Sequence, residues 1–380
     1  MKKNLVRKTI GKIHLWLGLA SGLVIFILGL TGCLLAFEIE IRNITEPQRF
    51  TKKEDKVVVM PSLVKAEAEK FLEGKKLRSM EYQPEGQSII AYYYDEHHYQ
   101  QVFIHPYTGK MIAVKNMDHD FFRIVLDGHF YLWLPHEIGK LVIASATLIF
   151  VVMMISGLVL WWPKRKHERK QRFTIRWQSK WRRKNYDLHN VLGFYMSWIA
   201  IFIAITGLVW GFTWFEKSFY WITSGGREML EEVHPHSDTT LCAKPIAAVD
   251  KVFTEMWKMK KNNEVLGIYL PLTNTEPLEA GINHRPGTYY DMDFYHFDQF
   301  TGKELPVEGT YAGSFKNAKF ADKLKRMNYD LHTGAVLSIP GKLMAFFASL
   351  IAASLPITGF LIWWGRRKKF AGKLKVIGFL

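Results

Sequence analysis

Residues 185–208 read NYDLHNVLGFYMSWIAIFIAITGL: a polar opening, one histidine, then an apolar run that closes on Thr206-Gly207. The uncharged stretch continues to Phe215, longer than the roughly 20 residues a helix needs to cross a bilayer. The opening pentapeptide NYDLH recurs letter for letter at 328–332. His189 precedes Thr206-Gly207 by 17 residues, and His14 precedes Thr31-Gly32 by the same 17. Leu17-Gly18 and Leu192-Gly193 sit at matching offsets. One membrane element, with one histidine near its start, is written twice.

Working outward, uncharged apolar stretches occupy 13–37, 141–162, 190–215 and 343–364. Only a helix satisfies its own backbone groups in lipid, so four transmembrane helices are predicted. The mean hydropathy of −0.04 reflects the polar segments between them. The net charge of +16 is unevenly placed. Residues 1–12 hold five Lys and Arg, 163–184 eleven and 365–380 six, against the single acid Glu168. Basic flanks beside spans mark the cytoplasmic side, which puts both termini and the middle loop inside and the two long segments outside. This placement argues for a lipid bilayer and against nucleic acid. Cys33 lies in the first span and Cys242 in the second outer segment, with no CxxC anywhere. That removes zinc-ribbon, thioredoxin-like and covalent-haem motifs. The N-terminus resembles a signal peptide, and Leu30-Thr31-Gly32-Cys33 fits a lipoprotein box. Signal h-regions are shorter than this run, so the span is expected to stay.

The outer segments repeat as well. In the first, a helix is predicted at 61–72 with Ser62 at its cap, then strands at 88–94, 101–105 and 111–114. In the second, a helix at 245–257 precedes strands, including 295–300. Thr108-Gly109-Lys110 and Thr301-Gly302-Lys303 follow aromatic strands in both. Around the second and fourth spans, Asp127-Gly128-His129 parallels Asp330-Leu331-His332, Ser156-Gly157 parallels Thr358-Gly359, and Trp161-Trp162 parallels Trp363-Trp364. The chain reads as two span–outer domain–span copies in one orientation.

Orientation sorts four histidines into two pairs. His14 and His189 open outward-going helices near the cytoplasmic face, and His129 and His332 precede inward-going helices near the outer face. Paired imidazoles across helices hold haem iron or a transition metal. Haem suits two imidazoles with few neighbouring carboxylates, whereas zinc usually takes four ligands. Gly18, Ser21, Gly22 and Gly193 give room for a flat macrocycle, and Trp16, Phe194, Trp198 and Trp210 are candidates to line it. A single interfacial histidine would be read as an anchor; four in symmetric pairs favour ligation. His136 lies nearer the second span than His129 and is held in reserve. Asp187 and Asp330 are read as helix caps ahead of a role orienting the imidazoles. His97, His98, His234 and His236 read as solvated surface residues, the His234/His236 spacing being a weak metal signal. No P-loop, GxGxxG or nucleophile–base arrangement is found.

The H-x-x-L-G…TG spans, the strand–TGK units and the WWPKR and WWGRR endings resemble the PepSY-associated transmembrane family, to which bacterial inner-membrane ferric-siderophore reductases belong. The resemblance spans nearly the whole chain. It implies an α-helical membrane protein of the inner membrane, with four transmembrane helices as two parallel span–PepSY-like–span repeats and two periplasmic α+β domains. Two b-type haems would be held by His14, His129, His189 and His332. The departure is LPHEIG at 134–139, which adds His136. The expected segments are 1–37, 38–122 (first outer domain), 123–162, 163–186 (basic loop), 187–215, 216–325 (second outer domain), 326–364 and 365–380. The leading expectation is an electron conduit from a cytoplasmic donor, flavodoxin- or flavin-reductase-like, to a periplasmic ferric siderophore or chelate. Lys164 to Lys184, with Trp177 and Trp181, is a candidate donor-docking loop. Reduction of a ferric ion held by hard oxygen ligands weakens that ligation. The alternatives are a cofactor-free membrane protein whose outer domains bind a peptide or partner, and a transporter; the absence of charged residues within the spans argues against the latter.

Overall fold

The computed structural model describes residues 2–163, 172–233, 235–240 and 245–377. Cys242, His234 and residues 164–171 of the basic loop lie outside the described residues. The helices are α1 (Lys2–Leu35), α2 (Glu38–Thr45), α3 (Pro61–Glu69), α4 (Phe121–Tyr131), α5 (His136–Trp161), α6 (Trp181–Gly211), α7 (Thr213–Thr223), α8 (Pro245–Met259), α9 (Phe320–Thr333) and α10 (Ser338–Ile377). The strands are β1 (Ser79–Tyr82), β2 (Ile89–Tyr94), β3 (Tyr99–Ile104), β4 (Met111–Asn116), β5 (Val265–Tyr269), β6 (Leu278–Asn283), β7 (Met292–Phe297) and β8 (Glu304–Leu305). The chain divides into two compact units: residues 1–37, 124–216 and 331–380 form one, and 38–123 with 217–330 the other.

The first unit is a helix bundle. Four of its helices are long and apolar enough to cross a membrane, over Leu5–Leu35, His136–Trp161, Trp181–Gly211 and Ala335–Arg367. Both α1 and α6 pack against α5 and against α10, which closes a ring of four. The contacts are made by small side chains, Ala200 and Ala204 on α6 against Ala348 and Ala352 on α10 among them. Lipid gives no hydrophobic reward for helix association, so close van der Waals approach has to supply it. Gly29 shows how close: a Cβ there would lie 2.6 Å from the Ser349 carbonyl oxygen. Leu23, Leu141 and Phe202 point outward, as lipid-facing side chains do.

The second unit corrects the expectation of two separate outer domains. All eight strands form one antiparallel sheet in the order β4-β3-β2-β1-β5-β6-β7-β8. The first strands of the two outer segments, β1 and β5, pair at its centre, Met80 opposite Ile268 and Tyr82 opposite Leu266. Four strands alone would leave β1 as an exposed edge, and the pairing removes that edge. Helices α3 and α8 cover one sheet face, where Val64, Ala68 and Leu72 meet Met80, Ala91, Val252, Phe253 and Ile268 in one core. The predicted cap Ser62 lies inside α3, whose N-cap is Met60. Its backbone N–H and hydroxyl instead donate to Asp250 of α8, at 2.9 and 2.6 Å, which ties the two helices together. Arg42 of α2 is buried among Glu38, Glu46 and Asp120, with Lys115 and Arg49 completing the ion network. Burial works against the charge on Asp120, but Arg42 and Lys115 outweigh it and hold the carboxyl at about 2.

Candidate functional site

Each of the four predicted histidines is held by a Ser/Thr-Gly dipeptide on another helix of the bundle. His14 of α1 places Nδ1 2.9 Å from Ser156 Oγ of α5. His129 of α4 places Nδ1 2.8 Å from Thr31 Oγ1 of α1. His189 of α6 meets Thr358 Oγ1 of α10 at 2.9 Å. His332 of α9 meets Thr206 Oγ1 of α6 at 3.0 Å. The glycine after each hydroxyl residue makes the seat. A Cβ at Gly157 would lie 3.3 Å from His14 Cε1, at Gly32 3.5 Å from His129 Cε1, at Gly359 3.2 Å from His189 Cε1, and at Gly207 3.4 Å from His332 Cε1.

The hydroxyls also fix where the imidazole proton sits. A hydroxyl has one proton to donate. Thr31 donates its proton to Ile27 O at 2.8 Å, Thr206 to Ile203 O at 2.8 Å, Thr358 to Ser354 O at 3.0 Å and Ser156 to Met153 O at 3.1 Å. Each oxygen is therefore left to accept, and the imidazole must donate from Nδ1–H. A second acceptor agrees at His332, whose Nδ1 is 3.0 Å from Ile203 O. The tautomer that follows carries a lone pair on Nε2, which has no hydrogen-bond partner among the described residues. A histidine whose other nitrogen is pinned in this way is prepared as a metal ligand.

One predicted pair is brought into ring contact. The rings of His129 and His332 lie 6.1 Å apart between centroids, at 69°. At that separation the two rings would be able to share one metal ion between them. His14 and His189 lie within electrostatic reach of each other. His14 and Thr31 share α1, so the two pairs are separated by about 26 Å, close to the thickness of a hydrocarbon core. The histidines come as pairs; among the described residues no group of three or more His, Cys, Asp or Glu that could hold a metal ion is found.

Other expectations land elsewhere. His136 opens α5 with its side chain 72% exposed, stacked on Tyr131 at 4.1 Å and 4.0 Å from Asp127. It does not approach His332. Asp187 lies within α6, whose N-cap is Lys180, and accepts from Arg183 at 3.1 Å. Asp330 lies within α9 and accepts from the backbone of Tyr289 and Tyr290 at 2.9 and 2.8 Å. Both aspartates lie inside their helices and not at an N-cap. Trp16 and Trp198 are 63% and 57% exposed on the bundle exterior. Trp210 does approach the outer pair, 5.4 Å from His332, while Phe194 stacks on Trp161 at 3.8 Å. Gly18, Gly22 and Gly193 face Met153, Pro356 and Leu355, and Ser21 donates to Leu17 O. Those four small residues serve helix packing, and the imidazole seats are the other glycines. His98 Nδ1 pairs with Asp118 at 3.1 Å on the surface.

The family model described as the PepSY-associated TM region matches residues 12–366, a range that includes all four histidines and all four hydroxyls. No curated protein matches the chain.

Proposed function

The chain belongs to the PepSY-associated TM-region family, and from that premise we propose that it is a membrane electron-transfer protein holding two b-type haems. His14 with His189 would bind one and His129 with His332 the other. The observation that carries this reading is the fourfold seat, which leaves four half-buried imidazoles with Nδ1 committed and Nε2 without a hydrogen-bond partner among the described residues. Held between two imidazoles, a haem supplies reversible one-electron chemistry at its iron. The chain's own part is to fix the ligand tautomer, orient each ring against a glycine and exclude water from the bundle. Spaced about 26 Å apart along α1, the pairs suit a conduit across the bilayer.

We read the chain as two span–outer segment–span repeats in a bacterial inner membrane. The symmetric strand order and the fourfold histidine seats support the repeat. The basic flanks support cytoplasmic termini and a periplasmic sheet. On this reading a separate cytoplasmic reductant feeds the chain, and a periplasmic ferric siderophore or chelate is reduced, making it an oxidoreductase of iron uptake.

The test is haem per protein by pyridine haemochrome, with a visible spectrum before and after dithionite. His14→Ala and His189→Ala should each lower haem content by about half, and the double variant should be no worse than either. His14→Ala combined with His129→Ala should leave none. Depletion of one common haem by His14→Ala and His129→Ala would overturn the pairing. Wild-type protein without a Soret band would favour the cofactor-free reading instead.

A further inference from the structure

The sheet face turned away from α3 and α8 carries a chemistry the bundle does not use. Strand register aligns Gln101, Tyr92, Ser79, Tyr269 and Glu279 in one row across four strand junctions. Glu81 lies two residues along β1 on the same face, beside Tyr92 and Tyr269. Its Oε2 accepts from Tyr92 Oη at 2.9 Å and from Gln83 Nε2 at 2.9 Å. Next to Glu81 the partner residue is Gly267, over which the Tyr269 ring lies; a Cβ there would sit 3.1 Å from Tyr269 Cε2.

Two acceptors on this face lack what they need. Glu81 has no cation within ion-pair distance among the described residues. Arg42, Arg49 and Lys115 are paired with Glu38, Glu46 and Asp120. Burial raises the Glu81 carboxyl pKa, outweighing the hydrogen bonds from Tyr92 and Gln83 and the more distant charge of Arg49, which is itself paired with Glu46. Gln101 is 5% exposed; its Nε2 donates to Tyr99 Oη at 3.2 Å, and its Oε1 is buried without a donor. An orphaned buried acceptor of this kind costs about 1–3 kcal/mol until something donates to it.

Aromatic rings surround these acceptors. Tyr92 stacks on Tyr99 at 6.3 Å, and Tyr289 meets Tyr329 edge-on at 4.8 Å. Tyr289 is 61% exposed yet within electrostatic reach of Glu81 and Tyr99. Its loop is pinned by the two backbone bonds to Asp330. The chain already rests one cation on such a ring, Arg123 lying 5.1 Å over Tyr99.

We propose that this face binds an organic cation, an ammonium group on an apolar body, with Glu81 as counter-charge, Gln101 Oε1 as acceptor and Tyr92, Tyr269 and Tyr289 as the aromatic wall. A hard metal ion is a poorer match, because one carboxylate falls short of the six to eight oxygens that calcium takes. An ammonium needs only one counter-charge, can donate to a neutral acceptor as well, and gains from the ring faces. The site is independent of the haem reading, and its test reads ligand binding alone.

The probes are phenethylammonium and its neutral analogue phenethyl alcohol, titrated calorimetrically into the full chain in detergent micelles. Phenethylammonium should bind saturably, about tenfold or more tighter than the alcohol. Glu81→Gln keeps an oxygen for Tyr92 and removes the charge, and it should bring the cation down to the level of the alcohol. Should Glu81→Gln not fold, Tyr289→Ala removes an exposed ring and should weaken cation binding about threefold or more. The proposal is overturned by equal binding of the two probes, by absent cation binding, by a folded Glu81→Gln that keeps the preference, or by a Tyr289→Ala that binds as wild type.

Discussion

Replacing Thr358 with valine tests the histidine seat most directly. Valine nearly matches threonine in shape, so Gly359 and the packing around it stay as they are, and only the hydroxyl is lost. His189 Nδ1–H then loses the acceptor at 2.9 Å. A donor left unpaired away from water costs about 1–3 kcal/mol, so on the haem reading, with about 1.4 kcal/mol per tenfold, a bound haem should dissociate about five- to a hundredfold faster. Thr358→Ser should restore wild-type retention, because Ser156 holds His14 with the same group at 2.9 Å. The assay is haem transfer from purified protein to excess apomyoglobin, followed in the Soret band. Equal retention by Thr358→Val and wild type would refute the tautomer argument. Equal loss in the valine and serine variants would show that packing, and not the hydrogen bond, holds the ring.

Two further outcomes follow from the sheet unit. His284 lies between Glu264 at 2.8 Å and Asp293 at 3.1 Å. Burial lowers its pKa, but both carboxylates outweigh that and raise it above the ordinary 6.5. A raised folded value means its contribution is complete below about 6.5 and is lost as pH climbs through the folded value. The Tm of the sheet unit should therefore fall from pH 6 toward pH 9, and less steeply in His284→Gln; matching slopes in the two proteins would count against this. Arg42→Met should cost about 3–5 kcal/mol by leaving buried carboxylates short of their partner. Denaturant unfolding followed by circular dichroism measures it, and a loss below about 1 kcal/mol would mean that Lys115 and Arg49 suffice.

The spans were legible because a bilayer demands long uncharged runs, and the structure puts helices on all four. The hairpins of the first outer segment were legible from alternating patterns between turn residues. Strand β1 was missed: SMEY is only four residues long and carries the half-buried Glu81 where an alternating pattern would have to show. The single sheet was missed for a more general reason. Alternation tells which face a side chain takes, but not which strand lies beside it. The same holds in the bundle, where Thr31, Ser156, Thr206 and Thr358 stood out as matching marks in the sequence. What they do depends on which helix faces which, and no spacing along one helix encodes that. Trp16 and Trp198 misled because a large aromatic serves a membrane interface as readily as a cofactor wall.

The seam between β1 and β5 has a consequence during synthesis. Tyr82 leaves the ribosome 183 residues before Val265, the start of its partner strand. At about 5–20 residues per second the β1 edge waits roughly ten to forty seconds for its neighbour. Throughout that interval a row of unpaired backbone groups and the apolar side chains Met80 and Tyr82 stand open to any other nascent copy. A chain stalled or truncated after α5 would carry that edge permanently. Its expected fate is pairing with the β1 edge of another stalled chain, an aggregation route closed only when the second half arrives.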